Sequence, residues 1–514
     1  MIKQFGMAWL ITKRELTDQM RDWRVLAPMV VLTAFFPYLM TVAAQTAINY
    51  INQYGGTALI GTRVLPFLIL VVGFFPVTVS LVVALEAFVG EKERGTIEPL
   101  LTSPMADWQL YLGKLMAGTI VPLTVSYVGI SLYMFGLWRQ HIPWPAFDFI
   151  AQTLALTAVQ TVLMVSAAIV ISTQSTTVRA ANLLASFIVI PIALLIQGES
   201  ALMFWGTNQI LWLAVFGVAV ISLLIVRLGL VHFKRENLLG REIDVLNLSW
   251  VWQTFWKSFS GSDASPLLLR HFISVWRRRK HPAPIDPAEL SLGQAFMFAL
   301  SAIFTWYRVE IPRTLRRMST AILITLAIGV LAIVSAYVYV DSQVVPGSLD
   351  PEKIQQAQQA LGSSVIGIDH SPQTLFWHNI QAELGISALG IFSFGVLGIV
   401  VYIGNFALIG GLLATAKIVG ISPLLYLLAG ILPHGIFELP SIILASSAIL
   451  YTGVELVTPK EGRTIGEAML FSLADLVKVF LGICVPLLVI AALVESLVTF
   501  PVFSYYLGQL IPVK

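Results

Sequence analysis

Apolar runs alternate with short polar stretches along most of this chain. Six runs fill the first half, at 25–47, 65–89, 112–137, 150–172, 180–198 and 209–232. A long polar stretch, 234–317, follows, and further runs lie at 319–340, 380–402, 404–416, 423–451 and 477–500. A membrane-spanning helix needs about 20 mostly apolar residues. The pattern therefore predicts an all-α polytopic membrane protein with about eleven spans, six then five. Gly385, Gly390, Gly395, Gly398, Gly404, Gly410 and Gly411 blur the helix ends between 380 and 416. They suit close helix packing or a re-entrant break.

Composition narrows the class. Of 514 residues, 57% are hydrophobic and 11% charged, against about 25% charged in soluble domains. A soluble enzyme and a disordered chain are both excluded. The net charge of 31 − 28 = +3 says little about partners, and nothing in the composition supports nucleic-acid binding. Cys484 is the single cysteine, so no internal disulfide framework exists.

Charge distribution sets the expected orientation through the excess of Lys and Arg on the cytoplasmic side. Expected inner loops carry Lys92, Arg94, Lys114, Arg179, Lys460, Arg463 and Lys478, and the middle segment carries thirteen more basic residues. Expected outer loops carry Arg63, Arg139 and Lys353. The N-terminus is therefore expected inside and, with eleven spans, the C-terminus outside. The opening stretch holds Lys3, Lys13, Arg14, Arg21 and Arg24 and has no small-residue cleavage site, unlike a removable signal. A helix over roughly 3–20 gathers Phe5, Trp9, Leu10, Leu16 and Met20 near one side and reads as interfacial.

The middle segment divides the chain into 1–245, 246–294 and 295–514. SGSDASP at 260–266 and HPAPIDP at 281–287 have linker chemistry. LLLRHFISVWRRRK between them reads as a basic amphipathic helix, and Trp250, Trp252, Phe255 and Trp256 as an aromatic cluster at headgroup level. This gives two membrane modules joined by a membrane-hugging linker; one continuous domain with a long loop is the alternative.

In the first module, the stretch EAFVGEKERGTIEPLLTSPMADWQLYLGK (86–114) is charged and lies between two spans. Gly95 breaks the outgoing helix, and Thr96 can cap a short new one with Ile97, Leu100 and Leu101 on its apolar side. The run Glu91, Glu93, Arg94, Gly95, Thr96, Glu98, Leu100, Leu101, Ser103, Pro104, Gly113 and Lys114 resembles the hallmark of the type-2 ABC exporter permeases. TKRELTDQMRDWR (12–24) resembles that family's connecting helix, and HFKRENLL (232–239) its exit after the sixth span. The resemblance covers roughly 1–245. It implies that 91–104 docks on a separate ATP-binding subunit, with Glu15 and Asp22 in support. It also implies two permease halves, homo- or heterodimeric, and ATP and magnesium held by the partner subunit, so no cofactor on this chain. No G-x-x-x-x-G-K-[ST] run occurs to cradle phosphates. LSLGQ (290–294) looks like an ABC signature but has no nucleotide-binding surroundings.

In the second module, WYRVEIPRTLRR (306–317) precedes a span, EKIQQAQQALG marks a polar outer segment, and LPHGIFELP lies in a later span. Pro312, Arg316, Asn379, Gly395, Asn405, Gly411, His434, Gly435, Glu438 and Glu495 resemble the stage II sporulation protein M family, the P-H-G-x-x-E run most specifically. His378 stands where that family often has a second asparagine.

His434 and Glu438 are four apart and share a helix face. An ionised acid at bilayer depth costs about 2.5–3.5 kcal/mol on insertion scales, so the pair is expected to face protein. With Asn379, Asn405 and Glu495 it is a candidate intramembrane polar cluster. Three readings stay open: a structural clasp, a polar lining for substrate or protons, and a metal or catalytic site. The spacing is not that of a zinc motif, the other histidines (His141, His232, His271, His281, His370) carry no ligand pattern, and no nucleophile arrangement is seen, so no metal and no catalytic residue is expected. The expectation is an ABC exporter permease of a prokaryotic inner membrane, in contact with lipid. Its SpoIIM-like module would be regulatory or accessory. A membrane scaffold for envelope remodelling is the alternative, and an intramembrane enzyme using His434, Glu438 and Glu495 a second.

Overall fold

The computed structural model describes residues 2–54, 58–97, 102–175, 177–205, 208–233, 248–261, 303–304, 306–343, 370–458 and 463–510. Every regular element among them is helical. Contacts divide the chain into two units, Met1–Leu246 and Asn247–Lys514.

The first unit contains α1 (Ile2–Arg21), α2 (Trp23–Tyr54), α3 (Ala58–Glu93), α4 (Asp107–Arg139), α5 (Phe147–Gln174), α6 (Val178–Trp205) and α7 (Asn208–His232). In α1, Ala8, Ile11 and Thr12 are buried, a helical stripe that packs on α4. Trp9, Leu10 and Met20 stay exposed, as an interfacial helix requires. One apolar core holds Ile11, Phe88, Val89, Ile97, Leu110, Tyr111 and Phe233 near the charged end of α3. Another, with Ala44, Leu65, Ile69, Tyr133 and Leu137, lies further along the bundle.

The second unit begins with α8 (Leu248–Ser260). A wide π turn, Trp306–Glu310, then leads into α9 (Ile311–Arg317) and α10 (Ser319–Gln343). Next come α11 (Pro372–Phe392) and α12 (Val396–Ile418). Two long helices finish the unit, α13 (Pro423–Val457) and α14 (Gly466–Tyr506). The aromatic cluster of the expected linker sits on α8, which packs on the first turns of α14. The Trp306 indole N–H donates to Phe259 O at 2.9 Å. The basic helix, SGSDASP beyond Gly261, HPAPIDP, LSLGQ and the Gln-rich segment lie outside the described residues.

Among the described residues, eight helices are long and apolar enough to cross a membrane: Leu26–Asn49, Asp107–Arg139, Phe147–Gln174, Ile210–His232, Ser319–Gln343, Val396–Ile418, Pro423–Val457 and Gly466–Tyr506. The expected runs 65–89 and 180–198 fall on α3 and α6, and 380–402 is split between the end of α11 and the start of α12. One boundary is corrected. The helix break expected near 403 lies at 393–395, where Phe394 (φ 53°) and Gly395 (φ 92°) turn the chain through the left-handed region. Lys417, which the expected loop charge counts leave out, ends α12 in a 2.9 Å pair with Asp341 at the end of α10.

Among the described residues, the four π turns obey one rule. Trp306–Glu310, Leu427–Ile431, Phe480–Cys484 and Glu495–Thr499 each end two residues before a proline: Pro312, Pro433, Pro486 and Pro501. Proline has no N–H, and its ring pushes on the carbonyl four residues back. Widening the preceding turn accommodates it and frees a carbonyl. For Pro486 that carbonyl is Gly482 O, and the Tyr307 hydroxyl donates to it at 3.0 Å.

Candidate functional site

The charged stretch of the first unit centres on Lys114. Its ammonium is buried, with the side chain 1% exposed. It pairs with Glu15 Oε1 on α1 and Glu91 Oε1 on α3, both at 3.1 Å. It also donates to Ala87 O at 2.7 Å and lies 5.0 Å from the Phe88 ring. One cation thus ties α1, α3 and α4 together. Gly113 makes the approach possible. A Cβ there would sit 2.8 Å from Ile11 Cβ and 2.9 Å from Ala8 O. The Thr12 hydroxyl donates to Gly113 O at 3.1 Å.

The next two side chains secure the α5–α6 connection. Lys92 Nζ donates to Thr173 O and Ser175 O, at 3.2 and 3.0 Å. Glu93 Oε1 accepts from Val178 N at 2.7 Å. A cation thus meets the end of one helix and an anion the start of the next, as the helix dipoles favour. Behind them, Ser172 Oγ accepts from Phe88 N and Val89 N, both at 3.0 Å.

Gly95, at φ 68°, then ends α3. Thr96 N donates to Glu91 O and Gly95 N to Lys92 O, the paired bonds of a glycine-terminated helix end. The Thr96 hydroxyl turns back to Glu91 O at 3.4 Å. Arg94, Gly95 and Thr96 are exposed, while Ile97 is buried in the core with Phe88 and Tyr111. Among the described residues, Arg94 makes a long 3.8 Å pair with Glu86. Ser103 is half-buried and Pro104 exposed. Glu98, Leu100 and Leu101 lie outside the described residues. Of the twelve residues of this run, Glu91, Gly113 and Lys114 are internal braces, Glu93 is an exposed brace to Val178 N, and Arg94–Thr96 form the outward tip.

In the second unit, His434, Glu438 and Glu495 come together, one ligand-type atom from each lying within 4.8 Å of the others. His434 Nε2 is 3.8 Å from Glu438 Oε2, and its Nδ1 is 3.2 Å from Thr499 Oγ1. Glu495 and Thr499 are the two ends of the last π turn, so the widened turn presents both toward α13. Asn379, on α11, is half-buried. Asn405 is corrected: it is exposed, and its amide donates to Val401 O of its own helix at 3.2 Å. Tyr402 and Phe406 occupy the buried face of α12 instead.

Among the described residues, four buried acids escaped the sequence reading: Glu199, Glu310, Glu383 and Asp475. Glu383 is 1% exposed, on α11 near Ser441 and Glu438. Its signal was the i, i+4 spacing from Asn379. Glu199, 3% exposed, accepts from the Gln160 amide inside the first unit. Its signal was a buried polar stripe on α5 (Gln152, Thr153, Thr157, Gln160, Thr161), which the high apolar content of the run obscures.

Two helical units, with eight helices among the described residues long and apolar enough to cross a membrane, define a multi-pass membrane protein. Residues 9–211 match the family model described as ABC-2 family transporter protein, and 295–500 the one described as Stage II sporulation protein M. The chain is similar to the probable ABC transporter permease protein NosY of Pseudomonas aeruginosa, 29% identical over 125 residues, 24% of this chain and 43% of that protein. The protein of the same name from Stutzerimonas stutzeri is 31% identical over 121 residues, 23% and 42% of the two chains. The match spans less than half the length of these curated relatives.

Proposed function

We propose that this chain is the membrane-spanning permease subunit of an ABC exporter in a prokaryotic inner membrane, and a transport subunit rather than an enzyme. ATP and magnesium would sit on a separate ATP-binding subunit, and a second permease copy or homologue would complete the transporter. The observation that carries this reading is the contrast along 91–97. Glu91, Lys92 and Glu93 are tied into four helices, Ile97 is anchored in the core, and Arg94–Thr96 between them face outward. A tip braced on both sides moves only with the bundle, so force applied to it reaches α1, α3, α4 and the α5–α6 connection together. The match of 9–211 to ABC-2 transporters supports the same reading.

The second unit is read as an accessory module, with His434, Glu438, Glu495 and Thr499 clasping α13 to α14 by polar contacts inside the membrane. The test is mild-detergent capture of tagged full-length chain from its native membrane, with mass spectrometry and an ATPase assay. Wild type should bring down an ABC ATP-binding subunit in stoichiometric amount. Arg94→Glu should lose it while keeping a monodisperse elution profile. Capture of envelope-remodelling proteins with no ATP-binding subunit would overturn the reading in favour of a scaffold.

A further inference from the structure

An open arginine groove of about 500 Å³ runs along the π turn Trp306–Glu310 and α9, lined by Arg308, Val309, Pro312, Arg313, Arg316 and Arg317. Two of its four guanidiniums are fixed from beneath. Arg313 Nη1 is 2.6 Å from Glu310 Oε1, and Arg317 Nη2 is 3.1 Å from Asp475 Oδ1 and 3.3 Å from Thr314 Oγ1. Both acids are buried and shared with the buried Lys478, 3.7 Å from Glu310 and 3.1 Å from Asp475. Arg308 and Arg316 are exposed, and among the described residues neither has a carboxylate within 4.0 Å. The four arginines and Lys478 thus outnumber the two carboxylates they share, Glu310 and Asp475.

Like charges packed this closely repel unless an anion joins them. Planar guanidiniums match phosphate oxygens by paired, charge-assisted hydrogen bonds. The rim also carries apolar surface: Ile303, Phe304, Tyr307 and Val309 are exposed beside the groove, and Leu323 and Ile324 on the α10 span beyond it. A soluble phosphate has no use for such a rim. A lipid does, with its headgroup at the mouth and its chains along the span.

We propose that this groove binds the phosphate headgroup of an anionic membrane lipid, with Arg308 and Arg316 as its free ligands and Arg313 and Arg317 as prepositioned ones. The site is independent of the transport reading.

The test uses purified full-length chain in neutral detergent and tail-labelled phosphatidylglycerol or phosphatidylcholine. Wild type should favour the anionic lipid. Arg308→Gln/Arg316→Gln, which leaves the Glu310–Asp475–Lys478 network intact, should weaken phosphatidylglycerol binding about tenfold or more without lowering the melting temperature. The control pair Lys13→Gln/Arg21→Gln, which removes the same charge from the exposed face of α1, should bind as wild type. Undiminished binding by the groove variant, or equal loss in the control pair, overturns the proposal. So does displacement of the lipid by inorganic phosphate at matched concentration, which would make the ligand a free anion.

Discussion

Lys114→Met removes the ammonium at the centre of the first unit and keeps most of the side-chain volume. It leaves Glu15 and Glu91, both 3.1 Å from the lost nitrogen, facing each other across one small space, and removes the side-chain donor to Ala87 O. Removing one partner of a buried charge set costs about 3–5 kcal/mol. The two carboxylates keep 18% and 17% exposure, so water relieves part of the cost and about 3 kcal/mol is expected. In a bundle of this size, that lowers the melting midpoint by about 6–12 °C. The measurement is the monodisperse fraction of full-length chain by size-exclusion chromatography after heating in detergent. The triple variant Glu15→Gln/Glu91→Gln/Lys114→Met removes the stranded charges and should recover most of the loss. Melting of Lys114→Met within about a degree of wild type would refute the reasoning, as would a triple variant no more stable than the single one.

Gly113→Ala should cost about 1–3 kcal/mol, because its methyl meets Ile11 Cβ and Ala8 O at under 3 Å; the same heating assay reads it. Tyr307→Phe should cost about 1 kcal/mol, because Gly482 O loses its donor; hydrogen exchange should rise locally around residues 480–487. If the intramembrane cluster is a neutral hydrogen-bonding clasp, Glu438→Gln should keep a folded yield near wild type and Glu438→Ala should not; equal loss in both would indicate a required charge.

Much of this architecture is written in local pattern. The helices follow from the apolar runs, because a backbone in lipid has few other ways to satisfy its hydrogen bonds. Gly95 as a helix end and the shared face of His434 and Glu438 follow from helix geometry alone. Other features depend on which way a helix turns, and that is a tertiary property. Asn405 reads as polar and intramembrane, yet Tyr402 and Phe406 take the inward face. Glu91 and Glu93 read as part of a partner-docking stretch; only the fold brings Lys114 and Val178 N to them. The break at 393–395 was hidden because seven glycines between 385 and 411 look alike in sequence. Gly395 has a positive φ, whereas Gly410 is set against Ile333 O of the neighbouring helix. The π turns were legible in principle, through the prolines that follow them.

Each wide turn places one more residue in the helix than a regular turn would hold, and one residue rotates everything beyond it by about 100°. Two such turns in α14 therefore offset its last segment by roughly 200° from the face that a straight helical wheel assigns. This is how one continuous helix serves different neighbours: Ala474 and Lys478 are buried near its start, and Phe503 against Tyr426 and Gly430 near its end. The prolines act as phase markers. Deleting one residue from a wide turn and replacing the following proline should straighten the helix and carry the far segment's apolar face to the wrong side. Conservative changes elsewhere in α14 leave that phase intact.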